Sequence, residues 1–137
     1  MIESLRILVV DDQPDITEIL CMHFEVMGHC CCCTNDGNGA LEAARAFDPE
    51  IGIIDIGLPD ISGYDVVRAL RARGSKAFLV ALTGWGAPGD VARAIDAGFD
   101  RHLLKPVNAG VLHRIIRDAI PMVRDRGAGL GSPGIAP

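Results

Sequence analysis

An α/β fold built on a parallel sheet is what this sequence predicts, and three observations carry that reading. Short, nearly unbroken apolar runs recur along the chain, LRILVV, IGIIDI and AFLVAL, and strands buried on both faces read this way. Segments with apolar residues at helical spacing stand between them. Acidic, hydroxyl and lysine residues follow the runs directly, and in open sheets of this class sites lie beyond the carboxyl ends of the strands.

The elements follow in order. Leu5–Val10 is a buried strand, rich in β-branched residues. Pro14 suits a first helical turn, Ile16, Ile19, Leu20, Phe24 and Met27 follow at helical spacing, and Gly28 ends the helix. The run Cys30–Cys33 supplies the second strand, and Asn35-Asp36-Gly37 is a turn. Ala40–Phe47 is helical, stopped by Asp48-Pro49. Ile51–Ile56 is the third strand, followed by a loop between Pro59 and Gly63 and a helix over Tyr64–Arg73. Ala77–Leu82 is the fourth strand, 84–89 a loop, Asp90–Ala97 a helix capped by Gly98, Arg101–Leu104 a short last strand and Ala109–Val123 a last helix. The stretch from Gly127 has no periodicity and reads as a flexible tail. One domain over residues 1–124 and a tail over 125–137 are expected.

Composition excludes several classes. The 137 residues suffice for one domain with a real core. A net charge of −5, with basic residues scattered rather than clustered, argues against a nucleic-acid surface. No apolar run approaches the ~18 residues a membrane span needs, and MIESLRILVVDD lacks the basic start of a signal peptide. A cytoplasmic, membrane-free protein is expected. Thiols stay reduced there.

Asp11 and Asp12 follow the first strand, Asp55 ends the third, Thr83 follows the fourth and Lys105-Pro106 the fifth. The steps between these points match two, one and one strand–helix units, so all can share one rim of the sheet. Three carboxylates on one rim repel one another. A hard divalent cation offsets this, and Mg²⁺ favours carboxylate oxygens with retained waters. One carboxylate can then attack phosphorus to give an acyl phosphate, while a lysine and a hydroxyl neutralise and bind the phosphoryl oxygens. A single acid at a strand end is ordinarily a solvated loop residue, and Asp15, Asp36, Asp60, Asp90 and Asp100 are read as turn or helix-start residues. The joint placement of Asp11, Asp12, Asp55, Thr83 and Lys105 is what decides.

The motifs LVVDDQPD, IIDIGLPDISG, ALTG and LLKP, within residues 5–123, resemble the receiver domain of two-component response regulators. The resemblance implies a flavodoxin-like (CheY-like) fold: a five-stranded parallel sheet of order 2-1-3-4-5 with five helices on both faces. It implies that Asp55 is the phospho-acceptor, charged by a phosphohistidine on a histidine kinase or phosphotransfer domain. Asp11 and Asp12 would hold Mg²⁺ together with Asp55 and the backbone carbonyl of Gly57, Asp12 being the more direct ligand. Thr83 and Lys105 would bind the phosphoryl group, and the Lys105–Pro106 bond would be cis. Three residues before the lysine, where the family usually has Tyr or Phe, stands His102, a pattern familiar in receivers of hybrid kinases. Trp85 and Gly57 would flank the phosphoryl group and tune its hydrolysis. The expected function is a phosphorylation-controlled switch that docks a downstream protein as a monomer, not an enzyme beyond its own phosphorylation and dephosphorylation.

Competing readings fare worse. A phosphatase of the haloacid-dehalogenase type needs a second acid two residues after the nucleophile, and position 57 is Gly. A flavodoxin would place phosphate against Asp11-Asp12. A pseudo-receiver that only binds partners would not need all five site residues.

Four adjacent cysteines on a strand point alternately to opposite faces. Zinc sites want spacers that let the chain turn around the metal, and disulfides within the run have poor geometry. Small buried hydrophobes with free thiols are expected at Cys30–Cys33, and likewise at Cys21 on the first helix.

Overall fold

A computed structural model describes residues 4–84 and 89–127. The elements are β1 (Arg6–Val10), α1 (Pro14–Val26), β2 (Cys30–Thr34), α2 (Gly37–Phe47), β3 (Ile51–Asp55), α3 (Gly63–Ala72), β4 (Phe78–Thr83), α4 (Asp90–Ala97), β5 (Arg101–Leu104) and α5 (Ala109–Arg126). The strands pair in parallel in the order β2-β1-β3-β4-β5, the fold class and order expected.

The apolar runs conceal a two-residue alternation. Ile7 and Val9 join Ile53, Val80 and Leu82 on the face covered by α1 and α5, where Leu20, Phe24, Leu112 and Ile116 meet them. Leu8 and Val10 join Ile54, Leu79 and Ala81 on the face covered by α2, α3 and α4, against Ala40, Val67, Leu70, Ala94 and Phe99. Both faces of β1, β3 and β4 are thus dry, and each buried aliphatic contributes about 1.5–3 kcal/mol. The helices start where local chemistry allows. The Asp36 side chain caps α2 by accepting from Gly39 N–H, Ser62 caps α3 through Asp65 N–H, and Asn108 caps α5 through Val111 N–H. Gly98 ends α4 at φ 119°, a left-handed turn that suits glycine.

Several boundaries differ from the expected ones, among them the start of α2, at Gly37 rather than Ala40, and the end of α5, which runs past Val123 to Arg126. The reason at α5 is tertiary: Arg126 donates two hydrogen bonds to Asp100, at 2.6 and 3.0 Å. Asp100 is therefore not a solvated turn residue. It also accepts from Arg71 at 3.0 Å and from Leu79 N–H at 2.9 Å.

The cysteine reading needs correction. Only Cys21 is buried; Cys30 and Cys33 are exposed, and Cys31 and Cys32 half-buried. An edge strand has one neighbour and incomplete cover, so it cannot bury a whole run. The thiols are not all free either, because Cys21 and Cys31 form a disulfide with Cα atoms 5.5 Å apart. Pairs within the run are poorly placed for a disulfide, whereas α1, packed across β2, brings Cys21 against Cys31.

Candidate functional site

The site forms at the carboxyl edge of the sheet, where β1 and β3 lie side by side. Asp11 directly follows Val10 and is fully buried. Its Oδ1 accepts from Gln13 N–H at 3.0 Å, and its Oδ2 lies 2.6 Å from Lys105 Nζ. Asp55 ends β3 and is also buried. Its Oδ1 accepts from Gly57 N–H at 3.0 Å, and its Oδ2 from Lys105 Nζ at 2.8 Å. Asp12 is exposed, and Asp11, Asp12 and Asp55 each bring a carboxylate oxygen within 4.8 Å of the others.

One ammonium therefore bridges two of three converging carboxylates. Partial burial works against the charge on Lys105, but the hydrogen bonds and charges of Asp11 and Asp55 outweigh it and hold its pKa above the usual lysine value. The cluster still carries a surplus of negative charge. Asp11 Oδ2 meets the ammonium at 2.6 Å and has no other hydrogen-bond partner among the described residues. A fully buried carboxylate oxygen with unused lone pairs, beside two more carboxylates, is a donor set that fits a hard divalent cation.

Backbone packing fixes the reach of these groups. Gly63 N–H donates to Ile56 O at 2.9 Å, and a Cβ at Gly63 would stand 2.8 Å from Ile56 Cα and collide with the Asp55 carbonyl. Only glycine lets α3 start this close behind Asp55. Thr83 ends β4, nearly buried, one residue beyond Leu82, the register partner of Asp55. Its carbonyl accepts from Lys105 N–H at 2.8 Å, so Thr83 and Lys105 are held on neighbouring strands. The Lys105–Pro106 bond is cis. His102 pairs in register with Ala81 and is half-buried; its Nε2 has no hydrogen-bond partner among the described residues. Trp85 lies outside the described residues.

Sequence reasoning missed two contributors. Asn35 donates to the Asp11 carbonyl at 2.9 Å and to Thr17 Oγ1 at 3.3 Å, tying the end of β2 to the acidic corner and to α1. Asp60 accepts from Gly37 and Asn38 N–H at 2.7 and 2.8 Å, and those bonds pull its pKa below the usual carboxylate value. It is an exposed acid, yet it joins the loop after Asp55 to the start of α2. Both residues carry an ordinary turn signature, and their partners lie too far along the chain to be read from spacing.

Comparison with known proteins adds the rest. The family model described as "Response regulator receiver domain" matches residues 7–117. The transcriptional regulatory protein KdpE of Mycobacterium tuberculosis is 38% identical over 100 residues, covering 73% of this chain and 44% of that protein. The DNA-binding response regulator MtrA of Mycolicibacterium smegmatis is 34% identical over 129 residues, covering 94% of this chain and 56% of that protein. The chain thus spans about half the length of these relatives. The fold is shared with the chemotaxis protein CheY4 of Vibrio cholerae, at a TM-score of 0.80 and 23% identity, covering 85% of this chain and 99% of the other. A signal receiver domain of a LuxO repressor-like protein from Vibrio parahaemolyticus gives a TM-score of 0.84 at 21% identity, covering 91% and 96%.

Proposed function

The chain belongs to the response regulator receiver domain family of two-component signal transduction, and from that premise we propose that Asp55 accepts a phosphoryl group from a phosphohistidine. The observation that carries this reading is the single ammonium of Lys105 held between Asp11 and Asp55 at 2.6 and 2.8 Å, with a third carboxylate alongside.

Asp55 Oδ1 is engaged by Gly57 N–H and Oδ2 by Lys105, so the carboxylate is oriented before a donor arrives. One of its oxygens attacks phosphorus as the P–N bond to the donor imidazole breaks, and the bonding pair leaves with the imidazole nitrogen. The product is an aspartyl phosphate. Lys105 then offers its ammonium to the transferred phosphoryl oxygens, and the Thr83 hydroxyl hydrogen-bonds to another. Asp11, Asp12, Asp55 and the Gly57 carbonyl would hold Mg²⁺, which supplies positive charge for the phosphoryl oxygens and relieves the repulsion among the carboxylates. Gly57 places no side chain over the acceptor, which leaves room for the water that later hydrolyses the phosphate. His102 and Trp85 would respond to the modification and tune it.

The phosphodonor is a histidine kinase or phosphotransfer domain. Beside Lys105 lies an apolar groove of about 340 Å³ formed with Gln13, Ile16, Ile19, Leu20 and Pro106, and α1 exposes Ile19 and Met22 next to it. A helical donor domain can dock there with its histidine over Asp55. Among the described residues no helix is long and apolar enough to cross a membrane. We place the domain, taken as residues 1–124 followed by a tail, in the cytoplasm as a monomer that docks a protein target. The test is incubation with a small phosphodonor and Mg²⁺ followed by intact mass. One added phosphate is expected, and none in Asp55→Asn. Full phosphorylation of that variant would sink the assignment.

A further inference from the structure

The cysteines remain outside the phosphoryl chemistry, and their arrangement is specific. Cys21 faces the core from α1 at 7% exposure, and Cys31 sits half-buried on β2 against the same core. The two are disulfide-bonded, ten residues apart in sequence. Cys30, Cys32 and Cys33 are free. Strand alternation turns Cys30 and Cys32 to the opposite face from Cys31, and Cys32 packs against the other core cluster. Burial and the neighbouring Cys33 push the Cys32 thiol up, which makes it a poor nucleophile. The pair thus joins α1 to the edge strand, and Cys31 is the less buried of its two residues.

The covalent tie shares its frame with the acidic corner. β2 ends at Thr34, and the next residue, Asn35, bonds the Asp11 carbonyl and Thr17 Oγ1 of α1. Thr17 Oγ1 in turn donates to Pro14 O at 2.9 Å. Two connections therefore hold α1 on β2, a disulfide at mid-helix and the Asn35 bridge at the helix start, and the second carries the Asp11 backbone.

We propose that Cys21 and Cys31 are a reversible redox site, oxidised by a low-molecular-weight disulfide, whose closed form preorganises the acidic corner for phosphoryl acceptance. In a reducing compartment a protein disulfide is characteristically transient or sensing. The Cys31 thiolate attacks the small disulfide RSSR, giving Cys31–S–SR and releasing RS⁻. The Cys21 thiolate attacks Cys31 Sγ, forming the Cys21–Cys31 bond and releasing a second RS⁻. The two thiol protons end on the departing thiolates as two RSH. Opening runs in reverse, from attack of a small thiol on the sulfur of Cys31, the less buried of the two residues. Its effect on phosphorylation rests on the acceptor reading above; the redox site itself does not.

The test uses the whole chain treated with glutathione disulfide or with dithiothreitol, each then removed. Thiols are counted after denaturation, with peptide mapping. Three free thiols with a Cys21–Cys31 peptide are expected after oxidation, and five free thiols after reduction. The oxidised form should melt higher by about 5–10 °C, as expected for a native crosslink. With a small phosphodonor and Mg²⁺ it should gain phosphate at least twofold faster than the reduced form. Cys21→Ala and Cys31→Ala should each abolish both redox differences, and Cys30→Ser should keep them. Five thiols after oxidation, a mixed glutathione adduct alone, or a pair involving Cys30, Cys32 or Cys33 would overturn the site. Equal, non-zero phosphorylation rates would overturn the coupling. An absence of phosphate in both forms would instead indict the acceptor assignment, because the thiol count and melting are independent of it.

Discussion

The two ends of the sheet handle charge in opposite ways. At the carboxyl edge one ammonium bridges two of three carboxylates, and a buried oxygen of Asp11 has no other hydrogen-bond partner among the described residues. At the amino edge one carboxylate, Asp100, faces two guanidiniums and a backbone amide. Arg71 further donates to the carbonyls of Gly98, Ser75 and Ala77, so the ends of α3, α4 and α5 meet in one satisfied network. Burial alone would raise the Asp100 pKa, but the Arg126 hydrogen bond, the Leu79 amide and the two positive charges hold it below the ordinary carboxylate value. A network with every partner present stabilises the fold. A cluster short of positive charge holds its carboxylates at a cost and is completed by something that arrives.

The contrast can be broken in several ways. Lys105→Ala removes the ammonium that bridges Asp11 and Asp55, and phosphorylation by a small donor should slow by roughly 100-fold. Stability should also fall, though less than in the Asp100 variant below, because two buried carboxylates lose their counter-charge while water enters the opened site. A rate within threefold of the parent would show that the ammonium is not part of the chemistry.

The largest stability effect belongs to the other end. Asp100→Asn leaves two half-buried guanidiniums without a counter-charge and should cost about 2–4 kcal/mol in denaturant unfolding. The parent's contribution is acid-labile with a definite sign. A folded pKa below the unfolded one means stability is present above about pH 4 and lost as pH falls through the folded value. A loss under 0.5 kcal/mol, on the order of a surface substitution, would mean that the network is decorative.

Mg²⁺ separates the ends more finely. At ten times its Kd, a ligand bound only by the folded state adds about 1.4 kcal/mol, so Mg²⁺ should raise the melting temperature of the parent. Asp12→Asn should abolish that rise while leaving metal-free stability unchanged or up to about 1 kcal/mol higher, since one repelling charge is gone. An undiminished rise in the variant would remove Asp12 from the ligand set.

The smallest effect concerns His29, buried near the amino edge, whose Nδ1 accepts from Leu5 N–H at 3.0 Å. Burial lowers its pKa, so the neutral ring is the folded form. Stability should be complete above about pH 6.5 and decline as pH falls below it, because the unfolded state binds the proton first. His29→Gln should flatten that slope, and an identical slope in the variant would assign it to another group.

Sequence alone determined the fold class, the five strands and helices, and the five residues of the acidic rim. The physical reason is local: apolar runs and helical spacing are written in neighbouring residues, and a parallel sheet puts the position after each strand on one edge. Tertiary structure decided whatever depends on residues far apart in the chain. Asp60 and Asp100 look like ordinary turn acids until their partners, 21 to 29 residues away, are brought to them. Asn35 reaches Asp11 only because β2 pairs with β1. Cys21 meets Cys31 because α1 crosses back over the edge strand it precedes, a contact set by helix packing that no spacing within the cysteine run encodes.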